Sequence, residues 1–293
     1  MTQLIPVPSL GVIRATGADR KTYLQSQLTA DLAKLPVNQW RFAGHCDPKG
    51  KMIAAFRLAH LDDQILMLMP QSLLQQDLPA LNKYAVFNNI ELVDSANQLS
   101  CYALVGAEAV ALLAQWQGDD NLRQHGQCIA LIDDDRAIIV APSDNALPTE
   151  LAQLPLGQES AFIASELLAA RPWFTAEHSS EFVPQMLNLD AVGGIAYDKG
   201  CYIGQETVAR MHFRGGNKRA LYVLATDAEA TGELQLQVGD NWRSAGKLVA
   251  SAIDGERQII TAVMSKELPE QPQFRLGDTP AQLLPRPYPL FEK

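Results

Sequence analysis

Trp40-Arg-Phe-Ala-Gly-His-Cys46 and Met52-Ile-Ala-Ala-Phe-Arg-Leu-Ala-His-Leu61 are two apolar runs joined by Asp47-Pro-Lys-Gly-Lys51. A Pro- and Gly-bearing turn between such runs predicts an antiparallel hairpin. Upstream, residues 11–15 read as a short strand broken by Thr16-Gly17-Ala18-Asp19. Asp19 is the expected N-cap of a helix through residue 32 with Tyr23, Leu24 and Leu28 on one side. Downstream come a strand over 64–69, a helix over 72–84 and a strand over 90–93. The theme then repeats: a strand over 100–105, and a helix over 106–117 carrying Val110, Leu113 and Trp116 and stopped by Gly118. Strands over 128–132 and 137–141 flank Asp133-Asp134-Asp135, with a helix near 145–153. Two successive β-α-β-β-α-like units predict a duplicated ferredoxin-like arrangement.

Beyond Ala220 the pattern changes. Residues 221–225, 234–238, 246–253, 258–264 and 274–276 are short apolar runs separated by Gly, Asp and Pro, without helical periodicity. They predict a small antiparallel barrel. Pro285-Arg286-Pro287-Tyr288-Pro289 reads as an extended strap. The expected fold is therefore α+β, with two ferredoxin-like units plus a C-terminal antiparallel β-barrel. The expected division is 1–98 for the first unit, 99–160 for the second, 161–219 for a return segment and 220–293 for the barrel.

Composition narrows the function classes. The 293 residues carry 24 Lys and Arg against 33 Asp and Glu, a formal net charge of −9. A surface that coats nucleic acid throughout is excluded at that balance, whereas a local basic patch is not. Apolar residues make up 47% and charged residues 19%, which is ordinary globular composition. No run approaches the ~18 apolar residues of a membrane helix, and the N-terminal residues lack a secretory n-region, so the reading is a cytoplasmic protein without membrane contact. The four cysteines, Cys46, Cys101, Cys128 and Cys201, form no CxxC pair, and the five histidines form no HExxH. Neither a dedicated metal site nor a disulfide framework is expected. Asp133-Asp134-Asp135 reads as a solvated turn rather than a cation site. Lys49-Gly50-Lys51 lacks the frame of a phosphate-binding loop.

The stretch richest in chemistry is Lys199-Gly200-Cys201-Tyr202-Ile203-Gly204-Gln205-Glu206, followed by Thr207-Val-Ala-Arg210-Met-His-Phe-Arg214-Gly-Gly-Asn-Lys218-Arg219. Residues 205–213 are helix formers stopped by Gly215-Gly216. Cys201 then precedes a helix N-terminus, with Lys199 two residues away, and both features favour a thiolate. The alternative is a small buried hydrophobe, the usual state of an isolated cysteine. The segment is locally basic: Lys199, Arg210, Arg214, Lys218 and Arg219 stand against Glu206. Such a patch attracts an anionic ligand, although Glu206 and Arg210 would also make an ordinary i,i+4 pair.

Lys199–Glu206 resembles the K-G-C-Y-x-G-Q-E signature of the YgfZ family, folate-binding and tRNA-modifying proteins related to the T-protein (aminomethyltransferase) of glycine cleavage. The resemblance extends to Phe182-Val-Pro-Gln185, Asn188-Leu189, Gly193-Gly194, Asn217-Lys-Arg-Ala220, His45-Cys46-Asp47 and Lys83-Tyr-Ala-Val-Phe87. It implies three domains in a ring around an opening that holds tetrahydrofolate or a derivative. It also implies a role in making or maintaining iron–sulfur enzymes, such as tRNA methylthiotransferases, and hence in tRNA thiolation and methylthiolation, with Cys201 functionally central.

The resemblance places Leu10 where the family carries an aromatic folate contact, and Phe162 at a second such position. The related I-E-A-G-x-P run stands here as Leu167-Leu168-Ala169-Ala170-Arg171-Pro172, with Glu166 and Glu177 nearby and no glutamate in the run. The leading reading is a monomeric folate-dependent accessory protein. In it Cys201 serves in redox, persulfide or cluster chemistry, and Arg210, Arg214, Lys218 and Arg219 neutralise the folate tail or a partner's anionic surface. tRNA is reached directly or through a client enzyme. One rival is an aminomethyltransferase, opposed by the lack of a carboxylate in Met52-Ile-Ala-Ala-Phe-Arg-Leu58. The other is a direct tRNA-binding module, opposed by the acidic charge and the lack of aromatic–basic interleaving.

Overall fold

The computed structural model describes residues 2–118, 121–144 and 147–290. Its first part runs β1 (Ile5–Pro6), β2 (Leu10–Thr16), α1 (Arg20–Gln27), β3 (Gln39–Cys46), β4 (Met52–His60), β5 (Ile65–Pro70), α2 (Gln71–Ala85) and β6 (Glu91–Asp94). The first sheet is ordered β3-β4-β5-β2-β6 and is antiparallel throughout. The order β6-β2-β5-β4 is that of a ferredoxin-like unit, with β3 added outside. The hairpin β3–β4 forms as expected, with a bulge between His45 and Cys46. Asp19 occupies the N-cap of α1 but makes no side-chain cap bond. Its carboxylate accepts from the Asn89 N–H at 2.7 Å instead, pinning the turn before β6.

The second part comprises β7 (Leu99–Val105), α3 (Ala107–Ala111), β8 (Gln117–Gly118), β9 (Leu122–His125), β10 (Cys128–Asp133), β11 (Arg136–Pro142), α4 (Thr149–Ala152) and α5 (Glu159–Leu168). Its sheet is ordered β1-β7-β11-β10-β9-β8. The edge strand β1 comes from the chain's N-terminal end, with Ile5 opposite Ala103. Residues 5–6 therefore sit with the second sheet rather than with the rest of 1–98. The expected helix over 106–117 is shorter: a 3-10 turn over Leu112–Gln115 follows α3, and Gln117–Gly118 pairs as a strand. The helix expected near 145–153 begins at Thr149, and its positions 145–146 lie outside the described residues.

The third part contains α6 (Gln205–Phe213), β12 (Arg219–Thr226), β13 (Leu234–Val238), β14 (Asn241–Ser244), β15 (Gly246–Asp254), β16 (Arg257–Ser265), β17 (Phe274–Leu276) and β18 (Thr279–Leu283). These strands order as β14-β13-β17-β18-β12-β16-β15. The two edge strands, β14 and β15, are separated only by Ala245, whose N–H donates to Leu234 O at 2.9 Å. That short link draws the edges together, so the sheet curls into an antiparallel half-barrel. The α+β expectation of two ferredoxin-like units plus a barrel thus describes the structure. No helix among the described residues is long and apolar enough to cross a membrane.

One apolar core gathers a face from each sheet: Val12 and Leu58 from the first, Ile138 and Val140 from the second, Leu221 and Val223 from the third. Separate cores fill the far face of the second sheet and the barrel interior. A charged network crosses between the first two units. Arg57, on β4, forks onto Glu166 of α5 at 2.7 and 2.9 Å and reaches Asp133 at 2.9 Å. Arg171, just beyond α5, meets both Asp133 oxygens at 2.5 and 2.9 Å and Asp134 at 2.9 Å. Arg57 also lies over the Phe42 ring at 4.8 Å. Asp133 is therefore not a solvated turn residue: it is 9% exposed, hydrogen-bonded to two guanidinia and ion-paired with a third, Arg136, at 4.0 Å.

Burial raises the Asp133 pKa, but Arg57 and Arg171 outweigh it and hold the carboxyl below its ordinary 3.8. A carboxyl depressed on folding contributes stability above its unfolded pKa that disappears as the pH falls through the lower folded value. Stability measured by urea unfolding is accordingly expected to decline below about pH 4. Arg57→Met, which strands Glu166 as a buried charge, is expected to cost ~3–5 kcal/mol at neutral pH. The double variant Arg57→Met/Glu166→Leu should recover part of that loss, and equal losses in both would show that the pairing itself contributes nothing.

Candidate functional site

The loop before α6 is assembled from close approaches. Gly204, the N-cap of α6, has φ 81°, and a Cβ there would lie 2.6 Å from Asp47 O and 2.9 Å from Gly50 Cα. Gly50 has φ 76°, and a Cβ on it would meet Thr207 at 2.6 Å. The β3–β4 turn and the N-terminal end of α6 therefore touch backbone to backbone, which only glycine permits. Gly200 meets nothing within 4 Å, so it faces no such steric demand. Gln185 donates to Val208 O at 2.8 Å and holds the helix from below.

Lys199 anchors the other side. Its ammonium donates to the carbonyls of Gln25, Leu28 and Ala30 at 2.6–2.7 Å. These oxygens lie at and beyond the C-terminal end of α1, where a cation is favoured. Burial lowers the Lys199 pKa to about 8, and the Tyr202 ring lies 5.1 Å away. The expectation that Lys199 would favour a thiolate at Cys201 meets a competing use: its donors are aimed at three backbone oxygens.

Cys201 is exposed, while Cys46, Cys101 and Cys128 are buried. Burial raises the pKa of each of those three thiols, that of Cys101 to about 12. Gln205 opens α6 and Glu206 lies in its first turn, exposed. The expected Glu206–Arg210 pair does not close, and Arg210, Arg214, Lys218 and Arg219 all lie exposed.

A second element is a cavity of about 440 Å³ lined by Asp134, Asp135, Arg136, Ser165, Leu168, Ala169, Arg171, Ala191, Pro287 and Tyr288, among others. The β10–β11 turn, the C-terminal end of α5 and the C-terminal strap meet there. The strap is fixed by Tyr288, whose hydroxyl donates to Ala170 O and lies 3.3 Å from Asn188 Nδ2. Asn188 in turn exchanges two bonds with the Leu221 backbone, at 2.9 and 3.0 Å, tying the segment to β12. Arg136 is 8% exposed. Its Nη2 meets Asp135 at 2.8 Å and its Nη1 lies 4.0 Å from Asp133 Oδ2 as an ion pair, while neither Nε nor Nη1 makes a hydrogen bond.

Leu10 and Phe162 do not line this cavity. Leu10 borders a void of about 20 Å³ on another side of Arg171, with Phe42, Arg57, Glu166 and Trp173. Phe162 is fully buried, edge-on to Trp173 at 5.7 Å. Glu166 is committed to Arg57. Position 168, where the related run has its glutamate, does line the cavity, as leucine. Arg136 and Tyr288 escape a reading of the sequence because nothing local marks them: an arginine after a turn and a tyrosine in a Pro-rich tail become neighbours only through the fold.

Comparison with known proteins supplies the context. Residues 2–128 match the family described as "GCVT N-terminal domain", and residues 217–279 match "YgfZ, beta-barrel domain". The chain is 39% identical to the tRNA-modifying protein YgfZ of Photobacterium profundum, across 99% of this chain and 92% of that protein. It is also 39% identical to the protein of that name from Vibrio vulnificus (strain YJ016), across 97% and 92%. Among solved structures, the glycine cleavage system aminomethyltransferase T from Bartonella henselae superposes with a TM-score of 0.68 at 16% identity, covering 97% of this chain and 84% of that one.

Lys199→Met is expected to strand three carbonyls and lower stability by about 1–3 kcal/mol in thermal or urea unfolding. With iodoacetamide on the folded wild type, modification should fall on Cys201 well before the three buried thiols. Peptide mapping that finds Cys46 or Cys101 labelled first would contradict this placement.

Proposed function

Because this chain belongs to the YgfZ family, we propose that it is a folate-binding accessory protein in tRNA modification. In this reading it supports iron–sulfur enzymes that thiolate or methylthiolate tRNA, with Cys201 as the working thiol. One observation carries the ligand half: a cavity of about 440 Å³ is lined by a buried guanidinium, Arg136, which sits among Asp133, Asp134 and Asp135 and whose Nε makes no hydrogen bond. Its volume falls within the ~300–1,000 Å³ of small-molecule sites, and its lining mixes apolar walls with a few convergent polar groups.

The residues present fit a folate. Leu168, Ala169 and Pro287 offer an apolar wall to a ring, and Tyr288 adds an aromatic one. Asp134 and Asp135 would accept from the pterin's amino and ring N–H groups, taking the part of the glutamate missing at position 168. The Arg136 guanidinium would attract a folate carbonyl or tail carboxylate by its charge. Bound tetrahydrofolate supplies a reduced carrier of one-carbon groups. The protein's own part is to orient it and limit its contact with water. The strand β4 carries no carboxylate, which favours the accessory role over aminomethyl transfer.

For the thiol half, the support is that Cys201 is the one exposed cysteine of four, on a loop fixed by Lys199 and Gly204. Two measurements test the reading. Isothermal titration with tetrahydrofolate should show saturable binding to the wild type, weakened roughly tenfold or more by Arg136→Met, in line with the loss of a charged hydrogen bond. No heat with the wild type, or unchanged affinity in the variant, would defeat the ligand half. Cys201→Ser should leave folate binding intact and reduce thiolated and methylthiolated nucleosides in cellular tRNA. Normal nucleoside levels would reduce the thiol to a bystander.

A further inference from the structure

The fold concentrates positive charge at the C-terminal end of α6, the helix whose N-terminal end follows the exposed thiol. Arg210 lies on α6, Arg214 is its C-cap, and Lys218 and Arg219 lead into β12. All four are exposed. They are held on a framework rather than on a loose tail: Arg219 pairs with Ser265, and Lys218 O accepts from the Lys266 N–H at 2.8 Å. Lys49 is exposed on the β3–β4 turn whose Gly50 touches α6. The nearby acids are Glu206, the partly buried Asp190, Asp47 on the β3–β4 turn, Asp198 before Lys199 and Glu267 beyond β16, in a chain whose net charge is −9. A cationic face in an acidic protein selects a polyanion and repels it elsewhere.

The same face carries aromatic rings. Tyr197 stacks on His212 at 3.7 Å with an interplanar angle of 18°. Phe213 stands edge-on to both, at 6.2 and 4.9 Å, and is 59% exposed. The fold thus adds Tyr197 to the aromatic and basic side chains of Arg210-Met-His-Phe-Arg214, a grouping the linear chain does not show. A supported, outward-facing ring among arginines suits a nucleobase, which stacks on any aromatic face while the cations take phosphates. A protein partner would call for a broader apolar centre, and Phe213 is the only large apolar residue exposed within 199–219.

We propose that α6 and the segment leading into β12 form a docking platform for single-stranded RNA, with Phe213 stacking a base and Arg210, Arg214, Lys218 and Arg219 contacting the backbone. This deepens the proposed function by making RNA contact direct, and it rests on that reading for the choice of RNA over other polyanions. The nine-residue α6 spans roughly 13 Å, with the Cys201 loop leading into its N-terminal end and the platform at its C-terminal end.

The test uses the full chain with a fluorescein-labelled, unmodified tRNA transcript, read by anisotropy between 50 and 200 mM salt. Saturable binding is expected. Arg214→Ala/Arg219→Ala should weaken it and flatten the log–log salt slope by about 1.4, at ~0.7 for each phosphate of a single strand that is no longer neutralised. Phe213→Ala should weaken it roughly tenfold, as expected when a base loses its stacking partner, with the salt slope unchanged. Absence of wild-type binding at 50 mM salt would overturn the platform. So would a Phe213→Ala variant that binds like wild type, or equal affinity for heparin and RNA, which would indicate a general polyanion or acidic-protein surface. Tetrahydrofolate titration of the same variants separates the two proposals: intact folate binding with no RNA binding defeats the platform alone, and the converse defeats only the folate reading.

Discussion

Asp133 is the point on which the arrangement of the first two units turns. Its carboxylate lies at the end of β10 and takes hydrogen bonds from Arg57 of the first sheet and from Arg171 beyond α5. Burying four charges costs desolvation, which their attraction offsets only when the geometry is good and the donors are used. Here the Arg57–Glu166 fork is bidentate, and the aromatic faces of Trp40 and Phe42 lie against Arg57 at 5.4 and 4.8 Å. A network of this kind is directional, unlike the apolar core around it. It defines how one sheet sits against the other, and with it the wall of the neighbouring cavity, since Arg171 lines both the small void beside Leu10 and the larger cavity with Tyr288.

The thiol loop depends on the same kind of long-range fixing. Thr29, just beyond α1, donates to Gly194 O at 2.6 Å and accepts from the Gly44 N–H at 2.8 Å. Lys199 joins the same region of backbone a few residues later. The loop carrying Cys201 is therefore clamped to the first unit on one side, and through Asn188 and Leu221 to the half-barrel on the other. A thiol held in this way can stay exposed without the loop being free, because Thr29 and Asn188 are buried and Lys199 is half-buried while Cys201 is exposed.

Much of the architecture is legible in the chain. The hairpin β3–β4, the helices α2 and α6 and most barrel strands follow from apolar runs with Gly or Pro at their ends. Elements with weak local signals are harder to see. The strands β1 and β8 are two residues each, too short for any periodicity. α5 buries its polar Ser165 and Glu166 together with Phe162, Ala164 and Leu167, so no separate solvent-facing polar stripe marks it as a helix. Asp133 reads as part of an acidic, solvated turn because its partners lie 76 and 38 residues away.

The order of elements, the family signature Lys199–Glu206 and the excess of cations between Arg210 and Arg219 are written in the chain, since each is carried by neighbouring residues. Which of those residues share a surface is settled by packing. Folding committed Lys199 to three carbonyls, closed Phe162 into the core, left Phe213 facing outward and set Arg136 beside Tyr288. The physical reason is that burial and hydrogen-bond satisfaction are properties of the whole packed chain. A side chain's neighbours are chosen by where distant elements come to rest, and no local pattern encodes that.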